Sequence, residues 1–524
     1  MDPQSETNYR GTGCGKAARP GLKGSGEATN RSTWKPLKSL ILLILTVFLF
    51  SCTEKEINTK PNVVLILADD LGYSDLSCYN SEYGINTPYI DNLAREGVRF
   101  TQFYAPSNIC SPSRRALLTG RYQSRLGEWA EAYSGIPTED AVSGDEEPVF
   151  AQYLKKSGYA TGCFGKWNIG EVNGISTPDA QGFDYWIGSF HNHTYFGHKR
   201  DNGIKDFWEN GILAPQYDGQ YSDDVFIDKA IEFIKGNSEK PFFVYLPLCS
   251  VHSPFQDPDN PVEGEHLSWW NDKNSTIGRN PPSIEDRPLL GKMLRHIDTR
   301  IGDLLKTLSD LNLEQNTIVI FTSDNGGTPA SVNEPLSGFK QGILEGGIRV
   351  PAIIKWPGVY PEGIVSSQVG IMMDLSQTIV SATGSGKFIE KGRKFDGIDL
   401  TPILSGSEEE TERTLGWRRR DWNNGKNGFN SVWAEAYIKG DWKYIKEFNE
   451  TPGFARSIPE NDPGVGYVEL LYNLKNDISE KNNLAQKNPE KLKELRDEFE
   501  RWKSEVVEKD KHYKIPFHDQ YENQ

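Results

Sequence analysis

Between Pro61 and Asp69 the chain runs Asn62-Val63-Val64-Leu65-Ile66-Leu67-Ala68, apolar after its first residue. A strand covered by helices on both faces has this pattern, so the run predicts a central strand of a parallel sheet. Residues 242–248 and 317–321 have the same character. Between these runs, apolar positions recur at helical spacing over 89–96, 151–156, 225–235 and the longer 289–308. Strands interleaved with helices predict an α/β fold built on a large, mostly parallel sheet sandwiched by helices. Ligands of such sheets bind beyond the carboxyl ends of the strands.

The texture changes after Pro402-Ile403-Leu404-Ser405-Gly406. A charged stretch at 408–413 leads to short strand patterns at 431–437 and 442–446 and a charged helical pattern at 489–507. These predict a small antiparallel sheet with a packed helix. Residues 1–52 read as a leader, 53–405 as a catalytic domain and 406–524 as a smaller C-terminal subdomain. Within the last, Trp417-Arg418-Arg419-Arg420-Asp421-Trp422 alternates aromatic and basic groups, which suits a subsite for an anionic sugar or a solvated loop.

The leader reads as an export signal. Lys35 and Lys38 precede an apolar run over 40–50 that is too short to span a bilayer. It ends in Leu49-Phe50-Ser51-Cys52, which resembles a bacterial lipobox. Two outcomes stay open: a cell-surface or periplasmic lipoprotein anchored at Cys52, or simple secretion. No other membrane association is expected.

Composition narrows the partners. The 524 residues are 36% hydrophobic and 11% aromatic, enough for a large core, and the formal net charge is −15. No basic stripe exists to neutralise phosphates, which excludes nucleic acid. An anionic ligand needs cations gathered locally. Cys14, Cys52, Cys78, Cys110, Cys163 and Cys249 show no CxxC or Cys/His spacing, so zinc and iron–sulfur sites are not expected.

The predicted strands end in chemistry-bearing segments: Asp69-Asp70-Leu71-Gly72, Cys249-Ser250-Val251-His252-Ser253-Pro254 and Thr322-Ser323-Asp324-Asn325-Gly326-Gly327. Singly, such residues cap helices and open turns. Together they place three carboxylates and an amide oxygen at one end of one sheet. Packed carboxylates repel unless a cation neutralises them, and all-oxygen ligation suits calcium or magnesium.

Cys110-Ser111-Pro112-Ser113-Arg114, followed by Ala116-Leu117-Leu118-Thr119-Gly120-Arg121, resembles the maturation signature of the formylglycine-dependent sulfatases, in the alkaline-phosphatase-like superfamily. Further blocks occur in that family's order: Asp69-Asp70-Leu71-Gly72, Thr87-Pro88-Tyr89-Ile90-Asp91, Gly165-Lys166-Trp167, Gly182-Phe183-Asp184, Asp324-Asn325-Gly326 and Glu345-Gly346-Gly347-Ile348-Arg349-Val350-Pro351. A final block runs from Glu469-Leu470-Leu471-Tyr472-Asn473-Leu474 through Glu480 to Asn483-Leu484-Ala485.

The resemblance implies that a maturation enzyme converts Cys110 to formylglycine, and that the hydrated aldehyde attacks sulfur and later expels sulfate. It implies calcium held by Asp69, Asp70, residue 110, Asp324 and Asn325, with Asp324 as base for the nucleophile. Arg114 would anchor residue 110, Lys166 and Lys340 would bind sulfate, and His252 matches a family histidine placed to protonate the leaving group. The family reads Gly-Lys-Trp-His-x-Gly, whereas here Asn168 stands where the His would be, in Gly165-Lys166-Trp167-Asn168-Ile169-Gly170. Asn168 can bind substrate but cannot take a proton near neutral pH. His191 and His193 are candidates to contact the sulfate in its place, or to serve in aromatic packing.

The expected substrate is a sulfated polysaccharide or oligosaccharide. Algal polymers such as ulvan or carrageenan are favoured over glycosaminoglycans. Two other classes remain: a phosphodiesterase or phosphonate hydrolase of the same superfamily, and a non-catalytic glycan-binding lipoprotein.

Overall fold

The computed structural model describes residues 60–126, 147–170, 176–200, 203–260, 282–421, 431–448 and 467–507. The leader and Cys52 lie outside them, as do the side chains of Arg420, Asp421 and Trp422. No helix of the described residues is long and apolar enough to cross a membrane.

In chain order the strands are β1 (Asn62–Ala68), β2 (Val98–Phe100), β3 (Phe103–Tyr104), β4 (Ala160–Lys166), β5 (Tyr185–Ser189), β6 (Trp208–Glu209), β7 (Ile212–Leu213) and β8 (Phe242–Pro247). There follow β9 (Thr317–Ser323), β10 (Ala352–Lys355), β11 (Ile364–Ser366) and β12 (Gly370–Ile371), then β13 (Thr414–Asp421), β14 (Ser431–Lys439), β15 (Trp442–Phe448) and β16 (Tyr467–Asn473). The helices used below are α1 (Pro88–Glu96), α2 (Cys110–Thr119), α3 (Ala151–Lys156), α4 (Ser222–Gly236), α5 (Arg287–Asp310), α6 (Glu345–Ile348), α7 (Met372–Ala382) and α8 (Pro489–Val506).

Among the described residues one sheet has ten strands, in the order β11-β2-β10-β9-β1-β8-β4-β5-β6-β7. The block β9-β1-β8-β4-β5 is parallel, while β10 and β6 pair antiparallel at its flanks. The sheet is therefore mixed and mostly parallel, as expected. Side chains alternate across a strand, and β1 divides its residues between two cores. Val64, Ile66 and Ala68 face α1, α4 and α5, whereas Val63, Leu65 and Leu67 face α2, α3 and α7. Both faces are covered, so β1 needs its unbroken apolar run.

β4 carries no such run, and glycine explains why it still sits inside the sheet. A Cβ at Gly165 would lie 1.9 Å from the Pro247 carbonyl oxygen, and one at Gly188 would lie 1.8 Å from that of Gly165. Only glycine lets these backbones meet, and Gly165 also has φ 134°. This close approach delivers Lys166 to the carboxyl end of the sheet.

The C-terminal strands form an antiparallel sheet in the order β13-β14-β15-β16. One face meets α8 through Tyr437, Tyr444, Leu471, Leu495 and Phe499. The other meets the large sheet's side through Leu415, Trp417, Ala436 and Ile445 against Tyr104, Ala116, Ile348 and Met373. Lys443 of β15 is wholly buried here, its Nζ 2.8 Å from both Glu345 Oε1 and Glu480 Oε1. Burial pushes the Glu480 carboxyl up to about 7 despite Lys443 beside it. Lys443→Ala should therefore leave two buried carboxylates short of their cation. Losing one partner of a buried pair costs about 3–5 kcal/mol, and a urea melt should show a loss of that size. A change below about 1 kcal/mol would mean the cluster is not holding the two sheets together.

Candidate active site

The carboxyl ends of β1, β9, β8 and β4 converge. Asp69 and Asp70 follow β1 directly and are wholly buried. The Asp69 backbone is clamped to the loop after β8: its N–H donates to Ser250 O at 3.0 Å and its carbonyl accepts from Val251 N at 2.8 Å. Asp70 adopts φ 62°, a left-handed turn that Asp tolerates better than most residues. Its N–H lies 3.3 Å from Asp324 Oδ1, across from the end of β9. Asn325 Nδ2 donates to Asp70 Oδ1 at 2.8 Å, and Asn325 Oδ1 is buried without a hydrogen-bond partner.

Cys110 is the first residue of α2 and wholly buried, its Sγ 3.5 Å from Asp69 Oδ1 and 4.0 Å from Asp70 Oδ1. One turn on, Arg114 fixes two segments. Its Nε and Nη2 both lie 2.8 Å from Asp324 Oδ2, and its Nη1 donates to Lys166 O at 2.6 Å. Lys166 Nζ donates to Asp69 Oδ2 at 2.5 Å. Lys340 Nζ lies 2.7 Å from Asp70 Oδ1 and 3.4 Å from Cys110 Sγ.

Three carboxylates thus face three cations in a largely buried site. Burial alone would raise Asp69, but Lys166, His252, Arg114 and Lys340 outweigh it and hold that carboxyl well below the ordinary range. Asp324 is pushed up to about 6 by burial and by Asp69 beside it, against Arg114. Burial and Asp69 push the Cys110 thiol up to about 12. Donor atoms of Asp69, Asp70, Cys110 and His252 lie within 4.8 Å of one another, a grouping that could hold a metal ion. Two of those four donors are carboxylates, and Asn325, hydrogen-bonded to Asp70, has a buried Oδ1 without a hydrogen-bond partner; carboxylate and amide oxygens suit a hard cation.

His252 Nε2 lies 3.4 Å from Asp70 Oδ2 and 3.0 Å from Asn192 Nδ2, while Nδ1 faces Ser253 O. Burial and the nearby Lys340 lower the ring's pKa well below the ordinary imidazole value. In the neutral form Nδ1–H donates to the carbonyl and Nε2 presents its lone pair to the amide of Asn192.

The remaining sequence candidates sit differently. Asn168 has φ 57° and donates Nδ2 to Phe190 O at 3.3 Å. His191 is 21% exposed, its Nδ1 3.6 Å from the buried Asp206. His193 is enclosed by Phe207, Phe226 and His198, and burial lowers it to about 4. Its aromatic-packing reading matches this placement. Asn192, between the two histidines, is the one that reaches His252. Sequence reasoning passed over it because an amide carries no titration signal, and its only mark was its place among polar residues beyond β5.

A family model described as sulfatase matches residues 61–385. The chain belongs to the sulfatase family. An N-acetylgalactosamine-6-sulfatase of Canis lupus familiaris is 35% identical over 386 residues, 69% of each chain. An N-acetylgalactosamine-6-O-sulfatase of Bacteroides thetaiotaomicron is 30% identical, covering 87% of this chain and 97% of its own. Among solved structures, Ps i-CgsB in complex with k-i-k-neocarrahexaose is similar at TM-score 0.68 and 28% identity, covering 85% of this chain and 93% of that one. Sulfatases hydrolyse sulfate esters, and in this sulfatase Lys166, Arg114 and Lys340 gather positive charge locally within a chain of net charge −15.

Proposed function

We propose that this sulfatase removes sulfate from a galactose-configured sugar of a sulfated glycan, with residue 110 matured to formylglycine and calcium held by Asp69, Asp70, Asp324 and Asn325. The position of Cys110 carries the reading. It opens a helix of 10 residues, whose N-terminal N–H groups favour an anion, and its Sγ touches both the carboxylates and Lys340. The matured residue would supply a hydroxyl to attack sulfur and displace the sugar alcohol, and calcium held by these residues would offset the negative charge gathered there.

The chain's own residues do the rest. Lys166 and Lys340 bind the sulfate oxygens, and Arg114 orients Asp324 through its planar fork. Asp324, held in place by Arg114, takes the proton of the nucleophile. His252 moves the leaving-group proton at Nε2, and an incoming anion favours its charged form. Asn168 cannot share that work, since an amide does not titrate.

Support for the sugar comes from the relatives. Two are named for N-acetylgalactosamine 6-sulfate, and a structural neighbour holds a carrageenan oligosaccharide. A galactose-type ring is common to both, so it spans the algal and the glycosaminoglycan alternatives. The leader ending at Cys52 fits an enzyme that meets such polymers outside the cytoplasm.

Turnover of galactose 6-sulfate, N-acetylgalactosamine 6-sulfate, glucosamine 6-sulfate, carrageenan oligosaccharides, 4-nitrophenyl sulfate and a bis(nitrophenyl) phosphate tests this. The galactose-type esters should be preferred. General acid catalysis supplies roughly 10²–10⁴-fold, so His252→Ala should lose about that on the sugar and far less on the nitrophenyl ester. Phosphodiester turnover exceeding sulfate turnover would overturn the reading, and preference for glucosamine 6-sulfate would overturn the sugar.

A further inference from the structure

Lys340 and Cys110 sit on separate loops, and one residue ties those loops together. Gln341, directly after Lys340, has φ 72°, a left-handed conformation in which an ordinary side chain is strained. Its N–H donates to Asn108 O at 2.9 Å, and Asn108 Nδ2 donates back to Gln341 O at 2.7 Å. Asn108 stands two residues before Cys110. The same Gln341 carbonyl accepts from Arg419 Nη1, and Arg419 Nη2 lies 3.2 Å from Gln341 Oε1. On the other side, Lys340 N–H donates to Gly327 O at 2.8 Å. Lys340 is therefore held at both of its flanks while its Nζ reaches Asp70 and Cys110.

Arg419 belongs to β13 and is 3% exposed. Alternation along the strand sets its direction. Trp417, two residues earlier, donates Nε1 to Ala105 O at 2.8 Å, on the chain leading to α2. Arg418 between them instead pairs with Glu435 at 3.2 Å. Trp417, Arg418 and Arg419, three of the residues read as a sugar subsite or a solvated loop, thus reach protein partners, and Trp417 and Arg419 hold the approach to residue 110. A fork is needed here, because one guanidinium fixes both the peptide plane and the side chain of Gln341. Lysine, whose three donors sit on one rotatable nitrogen, lacks that rigid fork.

We propose that Arg419 is a positioning residue for the sulfatase reaction: acting through Gln341, it fixes Lys340 against residue 110, so the C-terminal sheet completes the sulfate-binding end of the site. This rests on the reading of Lys340 as a sulfate-binding group.

A double-mutant cycle separates the two. The readouts are kcat/KM for 4-nitrophenyl sulfate and the inhibition constant of inorganic sulfate. Arg419→Ala should lower kcat/KM by about tenfold or more and weaken sulfate inhibition similarly, while in the Lys340→Ala background it should change neither by more than about twofold. Arg419→Lys should recover only a small part of the loss. Equal factors in both backgrounds, or no effect in the parent, would overturn the proposal while leaving Lys340 its role. A silent Lys340→Ala would overturn the sulfate-binding reading and the proposal with it. Should Arg419→Ala fail to fold, Gln341→Gly removes the Oε1 acceptor and frees the backbone. It should reproduce the loss, again only where Lys340 is present.

Discussion

Cys110→Ala should abolish turnover of every sulfate ester while the protein folds normally, and a tryptic peptide of the active parent should be about 18 Da lighter at residue 110 than a cysteine peptide. The substitution removes one atom from a helix that alanine favours, so the fold has little to lose. Removing a covalent nucleophile costs far more, up to roughly 10⁶-fold in hydrolases that depend on one. The thiol itself is a poor candidate for that role. Burial and Asp69 push it up to about 12, so it carries almost no thiolate near neutral pH. Full activity from protein carrying only thiol at this position would overturn the formylglycine assignment.

Chelation should likewise remove activity, and calcium should restore it. Asp324 is the proposed ligand to test, but Asp324→Ala would strip the wholly buried Arg114 of its closer carboxylate, leaving only Asp69 at 3.4 Å, and destabilise the protein for a separate reason. Asp324→Asn keeps the shape and an oxygen for Arg114 while removing the charge. We expect it to lose both bound metal, by elemental analysis, and at least about 10²–10³ in rate, the range for losing one preorganised electrostatic group. The parent should also melt at a higher temperature with calcium than without, because a ligand that binds only the folded state stabilises it. Metal-free protein that keeps its rate would refute the calcium assignment.

The parts legible in the sequence were those whose cause is local. The β1 run is apolar because both faces are covered, and it was read to its last residue. α5 extends to Arg287–Asp310 against the predicted 289–308, since Pro288 sits comfortably in the first turn of a helix. β4 was missed because Ala160-Thr161-Gly162-Cys163-Phe164-Gly165-Lys166 owes its place to glycines that admit neighbouring backbones, a tertiary cause. The carboxylates could be gathered at one sheet end by topology. Lys166 and Lys340 could be placed only through the family blocks, and Asn192 and Arg419 not at all, because their contacts join segments that the sequence keeps 60 and 78 residues apart.

The burial of α2 from its first residue also sets a clock. Cys110, Ser111, Pro112, Ser113 and Arg114 are all buried in the folded chain, so the proposed modification of residue 110 has to come before the sheet closes. Closure waits for β9, whose residues pair with β1 along its whole length. Roughly two hundred residues separate Cys110 from β9, and synthesis at about 5–20 residues per second gives a window of about 10–40 s. A chain that closes unmodified is shut out of conversion for as long as it stays folded. Under the proposed maturation of residue 110, the active fraction of a preparation is then decided by a race between two rates, and stable, well-folded protein is no measure of it.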